Sequence, residues 1–202
     1  MENEQLNQAN HESNEKKSKP DNYLKSLFDF IEIFALAACV ILIVFTFFTR
    51  LTVVEGGSMD TTLKEGERLL ISDLFYTPEA GDIVVIQSTL LPGELSGKAI
   101  VKRIIATEGQ TVEIKEDGVY VFNSDGSGGK LNESDGSLGY TVIPCYYIPQ
   151  APITVGEGEV FVMGDNRPIS LDSRSFGCVD ARTIIGKAYF RVAPISTFGA
   201  ID

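Results

Sequence analysis

Three short stretches of this 202-residue sequence hold side chains whose type and spacing could do chemistry. A serine, Ser58, follows two glycines; a lysine, Lys102, lies among apolar residues; and a polar loop spans residues 163–177. The one histidine, His11, falls in a polar N-terminal stretch. The sequence therefore offers almost no residues for an imidazole base or a multi-histidine metal site. Any nucleophile must therefore be paired with another kind of base.

Lys102 is the candidate base. Burial disfavours the charged form of an amine and lowers its pKa, which lets a lysine accept a proton near neutral pH. The alternation of a strand places Ile100, Lys102 and Ile104 on one face, and a lysine between two isoleucines is expected to be buried if that face looks inward. The strand alone leaves open a second interpretation, an edge lysine that blocks aggregation.

Ser58 is the candidate nucleophile. The two glycines before it let the backbone approach a ligand closely and leave amides free to point at an oxyanion. Met59 and Leu63 are expected to form apolar walls nearby. Taken alone, Gly-Gly-Ser is also a common turn, so the assignment depends on what lies around it.

The polar loop 163–177 holds two Asp, two Arg, one Asn and three Ser in fifteen residues, directly after an apolar strand. Asp172 and Arg174 are close enough in sequence to pair, and Ser170 or Ser173 could bond a neighbouring amine. The open alternative is a capped loop held by a structural ion pair.

A long apolar run lies near the N-terminus, before the three stretches described above. Residues 27–49 are predicted to form a transmembrane helix, because sixteen residues from position 33 contain a single polar side chain. A buried core helix and a cleaved signal peptide are the alternatives, and the bulky residues that follow offer no small-residue cleavage site. Residues 1–26 are predicted to be a polar tail and residues 50–202 the catalytic domain.

The lysines before the run outnumber the basic residues just after it, which predicts a cytoplasmic N-terminus and an extracytoplasmic domain 50–202 in a single-pass cell-membrane protein. With 17 basic against 28 acidic side chains, the net charge is −11, which argues against a nucleic-acid partner.

Short β-branched runs separated by Gly, Pro, Asp or Asn predict a mostly-β antiparallel sandwich or open barrel. Residues 123–140, rich in Gly, Ser, Asp and Asn, are predicted to be a flexible loop.

The order of these stretches and the residues within them resemble those of bacterial type I signal peptidases, membrane-anchored Ser-Lys proteases that remove signal peptides from exported proteins. The family's Ser-Met-x-Pro-Thr-Leu pattern is matched at residues 58–63, and its Val-Lys-Arg strand at residues 101–103. Its Gly-Asp-Asn-Arg-x-x-Ser-x-Asp-Ser-Arg signature is complete at residues 164–174. Matches at residues 81–85 and 186–188 extend the resemblance over nearly the whole chain after the apolar run.

The resemblance implies a mechanism. Neutral Lys102 takes the proton of Ser58, whose oxygen attacks the peptide carbonyl, and the protonated lysine then donates to the leaving amine. Ser170 matches the serine that orients the lysine. Asp172 and Arg174 match a supporting ion pair.

The implied substrate is the signal peptide of a preprotein, extended, with small residues at the first and third positions before the cut. It is expected to add as a strand beside Val54 and Val101, with shallow pockets shaped by Met59, Leu63 and Ile100. Membrane lipid and the export machinery are expected partners. No cofactor, metal or nucleic acid is expected.

The sequence departs from the family's pattern in three places. Thr61 replaces a proline, which is expected to relax a turn, and residues 106–110 replace Gly-Leu-Pro-Gly-Asp, which is expected to weaken a structural contact. Gly56 stands where some members carry a further hydroxyl, so the oxyanion hole is expected to rest on backbone groups such as the amide of Ser58. Activity is expected, with altered specificity or stability.

Other functions fit parts of the pattern. The main alternative is a specialised or inactive signal-peptidase-like protein that assists pilus or surface-protein assembly; an inactive member should have lost Ser58 or Lys102, and both remain. A different Ser-Lys protease and a membrane-tethered binding module are further alternatives. Cys145 and Cys178 are hypothesised to form a disulfide in an exported domain.

Overall fold

The computed structural model describes residues 19–87, 97–131, 133 and 151–201. The described residues divide into two compact units, with the boundary between Phe47 and Phe48. The first unit contributes an apolar helix and the second a β domain. His11 and Cys145 lie outside the described residues, so the proposed pairing of Cys145 with Cys178 stays a prediction.

The helix α1 spans Lys19–Phe48, 30 residues. It begins well before residue 27, so residues 19–26 belong to the helix and not to the predicted tail; lysine, leucine and serine are tolerated in a helix, and the change of polarity does not end it. Within it, Tyr23–Ile43 has a mean hydropathy of 2.3 and is long and apolar enough to cross a membrane. The side chains of Phe28 and Leu42 are exposed, as on a helix that faces lipid.

The β domain is built from short strands that follow the β-branched runs of the sequence. They are β1 (Arg50–Val53), β2 (Arg68–Ser72), β3 (Ile83–Gln87), β4 (Ala99–Thr107), β5 (Thr111–Lys115), β6 (Gly118–Phe122), β7 (Gly128–Lys130), β8 (Ile153–Thr154), β9 (Glu159–Met163), β10 (Val179–Asp180), β11 (Ile184–Ala193) and β12 (Gly199–Ala200). One turn of helix, α2 (Ser173–Phe176), follows β9. The prediction of a mostly-β fold preceded by an apolar helix is confirmed.

The strands form two antiparallel sheets. In the larger sheet the described strands are ordered β1-β2-β11-β3-β4-β9-β10, with β12 beside β11. Strand β4 lies near its centre, where Lys102 is opposite Val84 of β3. The smaller sheet has the order β7-β6-β5-β8.

Strand β7 corrects the predicted loop 123–140. Gly128–Lys130 pairs with β6, and the amide of Leu131 donates to the carbonyl of Val119. Gly128 lies so close to the backbone of Val121 that a side chain would overlap it, so glycine here permits strand pairing where its abundance predicted a loop. Residues 132 and 134–140 lie outside the described residues.

Three clusters of buried apolar side chains form the core of the β domain. One contains Val54, Met59 and Leu63 together with residues of β2, β3 and β11. Another lies between β4 and the smaller sheet, where Leu131 packs against its edge. The third contains Ile100 and Ile104, which confirms that alternate residues of β4 share a buried face.

The turn at residues 106–110 is well bonded despite its departure from the family's pattern. The side-chain oxygen of Gln110 accepts from the amide of Thr107 over 2.8 Å, and the amide of Gln110 donates back to the carbonyl of Thr107 over 3.1 Å. Gly109 supplies the positive φ, 78°, that the turn requires. Glutamine therefore makes a closing contact where the resemblance implies aspartate, and the expected weakening does not follow.

Candidate active site

Lys102 and Ser58 are in direct contact. The Nζ atom of Lys102 lies 2.7 Å from the Oγ atom of Ser58, within a hydrogen bond. Lys102 is 3% exposed and is fixed by the pairing of β4 with β3. Ser58 is partly exposed at the floor of a groove. A hydroxyl that faces an open groove and is bonded to a buried amine has the geometry that proton transfer requires.

Burial lowers the pKa of Lys102 to about 8. The carboxylate of Asp172 opposes this change because it favours the ammonium form, whereas the guanidinium of Arg174 adds to it. Desolvation is the larger effect. The amine is therefore neutral in an appreciable fraction of molecules near pH 8 and can accept a proton there.

Asn166 holds the turn that carries Ser58. The backbone amide of Asn166 donates to the carbonyl of Ser58 over 3.0 Å, and its side-chain nitrogen Nδ2 donates to the carbonyl of Gly57 over 3.0 Å. A β-carbon at Gly57 would lie 2.8 Å from a carboxylate oxygen of Asp60 and 3.3 Å from the end of Ile169, so these two side chains would have to shift to admit it. The turn is therefore fixed chiefly by its two hydrogen bonds to Asn166.

Asp172 and Arg174 pair as the sequence predicted. Arg174 approaches the carboxylate of Asp172 with two nitrogens, at 2.7 and 2.8 Å, and also donates to the carbonyls of Arg167 and Ser170. Asp172 accepts in addition from the amide of Gly164 over 3.1 Å. The buried pair thus closes residues 164–174 into one bonded loop beside the amine of Lys102.

Ser170 does not make the contact that the resemblance implies. Its Oγ atom is buried without a hydrogen-bond partner among the described residues, so no bond to Lys102 is formed. The residue is held instead through its backbone, since its amide donates to the carbonyl of Asn166 over 3.1 Å and its carbonyl accepts from Arg174. In this structure the orientation of Lys102 comes from β4 and from Ser58.

A second buried ion pair lies next to Lys102. Arg103 bonds both carboxylate oxygens of Asp165, at 3.0 and 2.9 Å, and donates to the carbonyl of Gly81. The hydroxyl of Thr62 donates to the same carboxylate over 2.5 Å. Strand β4, the polar loop and the turn after Ser58 are therefore tied together at Asp165.

The groove beside Ser58 has a volume of about 340 Å³. Ile100, predicted to shape a pocket, and Val101, predicted to lie beside the substrate, both line it. Met59 and Leu63, also predicted to shape pockets, do not, because each is at most 1% exposed and belongs to the core beneath. Their apolar side chains support the nucleophile turn from below. Val54 is buried in the same core, and its predicted place beside the substrate strand stays a prediction.

Sequence reasoning missed several residues of the site. These are Glu55, Lys98, Ala99, Ile169 and Leu171, all of which line the groove. The signal for the last two was present: they are apolar residues at alternate positions in an otherwise polar loop, and they are 64% and 44% exposed. Asn166 carried no signal beyond its place in the family's signature.

The geometry defines a class of protein, the serine endopeptidases that use a lysine in place of histidine. The chain belongs to the signal peptidase family, peptidase S26, which matches residues 27–193. It is similar to signal peptidase I of Bacillus licheniformis, with 33% identity over 193 residues that cover 92% of this chain and 99% of the relative. It is also similar to signal peptidase IB of Staphylococcus aureus, with 32% identity over 86% of this chain and 93% of the relative.

Two further similarities were found. A probable signal peptidase I-1 of Synechocystis is 38% identical over 73% of each chain. The crystal structure of a signal peptidase I from Enterococcus faecalis aligns with 29% identity and a TM-score of 0.41, over 55% of this chain and 97% of that one. The family membership makes this chain a membrane-anchored serine endopeptidase and favours that function over an inactive assembly protein.

Proposed function

We propose that this chain cleaves N-terminal signal peptides from preproteins, with Ser58 as the nucleophile and Lys102 as the general base. The observation that carries the proposal is the 2.7 Å contact between Nζ of the buried lysine and Oγ of the serine. Neutral Lys102 takes the hydroxyl proton while Ser58 Oγ attacks the scissile carbonyl. The resulting ammonium donates to the leaving amine, and the same amine then activates water to release the acyl group.

The amide of Ser58 is the proposed oxyanion donor. Among the described residues it makes no hydrogen bond, whereas the carbonyls on either side of it, those of Gly57 and Ser58, are both engaged by Asn166. The two carbonyls hold the turn in place, and the backbone amide of Ser58 is left to donate a hydrogen bond to a ligand. Gly56, at a φ of 74°, adds no side chain that would obstruct a carbonyl oxygen entering there.

The substrate is proposed to bind as a strand along β4. Pairing of β4 with β9 begins at Arg103, opposite Met163, while pairing with β3 extends back to Ala99. Among the described strands, Ala99–Lys102 therefore has one unpaired edge, and this edge lies along the groove. An extended peptide can add its main-chain hydrogen bonds there, and the apolar wall of the groove suits small side chains next to the scissile bond.

The N-terminus is proposed to lie in the cytoplasm and the β domain outside the cell membrane. Lys16, Lys17, Lys19 and Lys25 precede the apolar part of α1, whereas Arg50 is the one basic residue that follows within a dozen positions. Membrane lipid then surrounds the helix, and the export machinery delivers substrates. Protease added to intact spheroplasts should digest the β domain and leave the helix with its N-terminal segment; protection of the β domain would reverse the orientation.

The activity is tested with the full chain in lipid vesicles and a preprotein. The expected product is the mature protein, with its new N-terminus directly after small residues, as N-terminal sequencing will show. Cleavage should disappear in the Ser58→Ala variant. A Ser58→Ala enzyme that still releases the same product would overturn the proposal.

A further inference from the structure

We propose that Glu133, which follows strand β7 by three residues, positions the nucleophile turn through the buried guanidinium of Arg167. The inference rests on the proposed function, since it concerns the orientation of Ser58. Arg167 directly follows Asn166, the residue that bonds the carbonyls on both sides of the Ser58 amide. What holds Arg167 in place therefore also holds Asn166.

Arg167 is bound on three sides. Its Nε atom donates to the carbonyl of Gly164 over 2.8 Å, and its own carbonyl accepts from Arg174 over 2.7 Å. Its two terminal nitrogens both bond the carboxylate of Glu133. The exposed fractions of the two side chains are 3% for Arg167 and 13% for Glu133. Because both side chains are largely shielded from solvent, this bidentate pair has a fixed geometry, unlike an ion pair on the surface.

Glu133 is itself anchored to the smaller sheet. Its amide donates to the carbonyl of Leu131 over 2.9 Å, and the amide of Leu131 donates to Val119 of β6. The side chain of Leu131 packs against the core cluster between β4 and the smaller sheet. The carboxylate is thus carried by a packed element, and it makes a long-range contact with the loop that contains Asn166.

Removal of the negative charge leaves the guanidinium of Arg167 buried without its counter-ion. Arg167 must then move towards water, and Asn166 moves with it. Displacement of a reacting group by about 1 Å can slow an enzyme by about 100-fold even when the change lies outside the reacting atoms. The substrate edge, Ala99–Lys102, is on β4 and keeps its main-chain bonds to the substrate. Because Ile169 and Leu171 of the polar loop also line the groove, a small change in KM is expected, well below the change in kcat.

The test compares Glu133→Gln with a matched control, Glu113→Gln, which removes a carboxylate of β5 that is 34% exposed and paired with Lys115. The full chain is assayed in lipid vesicles, well below its thermal unfolding temperature. Glu133→Gln should lower kcat between about tenfold and 100-fold while KM changes by less than about twofold, whereas Glu113→Gln should match the unmodified enzyme. An unchanged kcat, or a loss confined to KM, would overturn the inference.

A double-mutant cycle separates positioning from a general loss of stability. If Glu133 acts through Arg167, then adding Glu133→Gln to an Arg167→Gln enzyme should lower kcat by less than about twofold. Equal losses in both backgrounds would contradict this route. The Ser58→Ala variant is assayed alongside: cleavage by that variant would reject the proposed function, whereas an active enzyme that depends on Ser58 but not on Glu133 would reject only this inference.

Discussion

The α-carbon of Gly164 packs directly against the carbonyl oxygen of Ser58, with no space between them for a side chain. A β-carbon on Gly164 would overlap both that oxygen and the hydroxyl of Ser170. The residue that directly follows β9 is thus a contact surface for the nucleophile turn. This contact explains why position 164 must be glycine, although the backbone of Gly164 does not have a positive φ.

Gly164→Ala should displace the nucleophile. Because the added methyl group meets a backbone oxygen that cannot rotate away, Ser58 must move, and we expect kcat to fall by at least about 100-fold. Gly199→Ala is the control, since a β-carbon there has no atom within 4 Å. The measurement is kcat of the two variants from steady-state kinetics. Similar kcat values would show that the contact between Gly164 and Ser58 is not needed for catalysis.

The rate should depend on pH through Lys102. The pKa of the lysine is lowered to about 8, and the protonated amine cannot accept the serine proton. The active fraction therefore rises as pH rises through about 8, and below it kcat/KM should fall about tenfold per pH unit. The measurement is kcat/KM between pH 5 and 9, with circular dichroism at each pH to confirm folding. A flat profile would exclude Lys102 as the base.

Thr61 is strained where the sequence predicted a relaxed turn. Its φ is 89°, a region that a β-branched residue rarely adopts and that a proline ring, locked near −65°, cannot reach. Thr61→Gly should therefore raise the free energy of unfolding by about 1 kcal/mol, as relief of strain outweighs the flexibility of glycine. Thr61→Pro should lower it, together with activity. Urea unfolding measures both, and a stabilising proline would show that the turn can adopt another conformation.

The buried pair of Arg103 and Asp165 should be essential for stability. Neither side chain is more than 1% exposed, so Asp165→Asn leaves a buried guanidinium without its counter-ion and should cost about 3–5 kcal/mol. Asp180→Asn is the control, because its partner Arg182 is 90% exposed and water replaces the lost contact. Urea unfolding followed by tyrosine fluorescence compares them. Equal effects would contradict the account of the buried pair.

The sequence predicted the parts of the site that are carried by periodicity and by long motifs. Alternation in β4 placed Lys102 on the buried face with Ile100 and Ile104, and the structure confirms that face. The apolar run predicted a helix, but not its start at Lys19, because polar residues extend a helix without any change in its hydrogen bonds.

Contacts between distant segments were beyond sequence reasoning. Glu133 lies in a stretch whose composition predicts a loop, yet its carboxylate pairs with Arg167, 34 positions away. Met59 and Leu63 were assigned to pocket walls because apolar residues near a nucleophile fit a wall and a core equally well, and burial alone decides between them. The strained φ of Thr61 depends on the contacts of the whole turn and has no local signature.

The central claim, that the amine of Lys102 activates Ser58, is tested most directly by the initial rate of preprotein cleavage in the Lys102→Ala variant. The control is Lys115→Ala, which removes an exposed lysine of the smaller sheet whose side chain is 46% exposed. Loss of the general base should lower the rate by about 10³-fold, with the Lys115→Ala enzyme unchanged. A Lys102→Ala enzyme that cleaves at the rate of the unmodified protein would contradict the account.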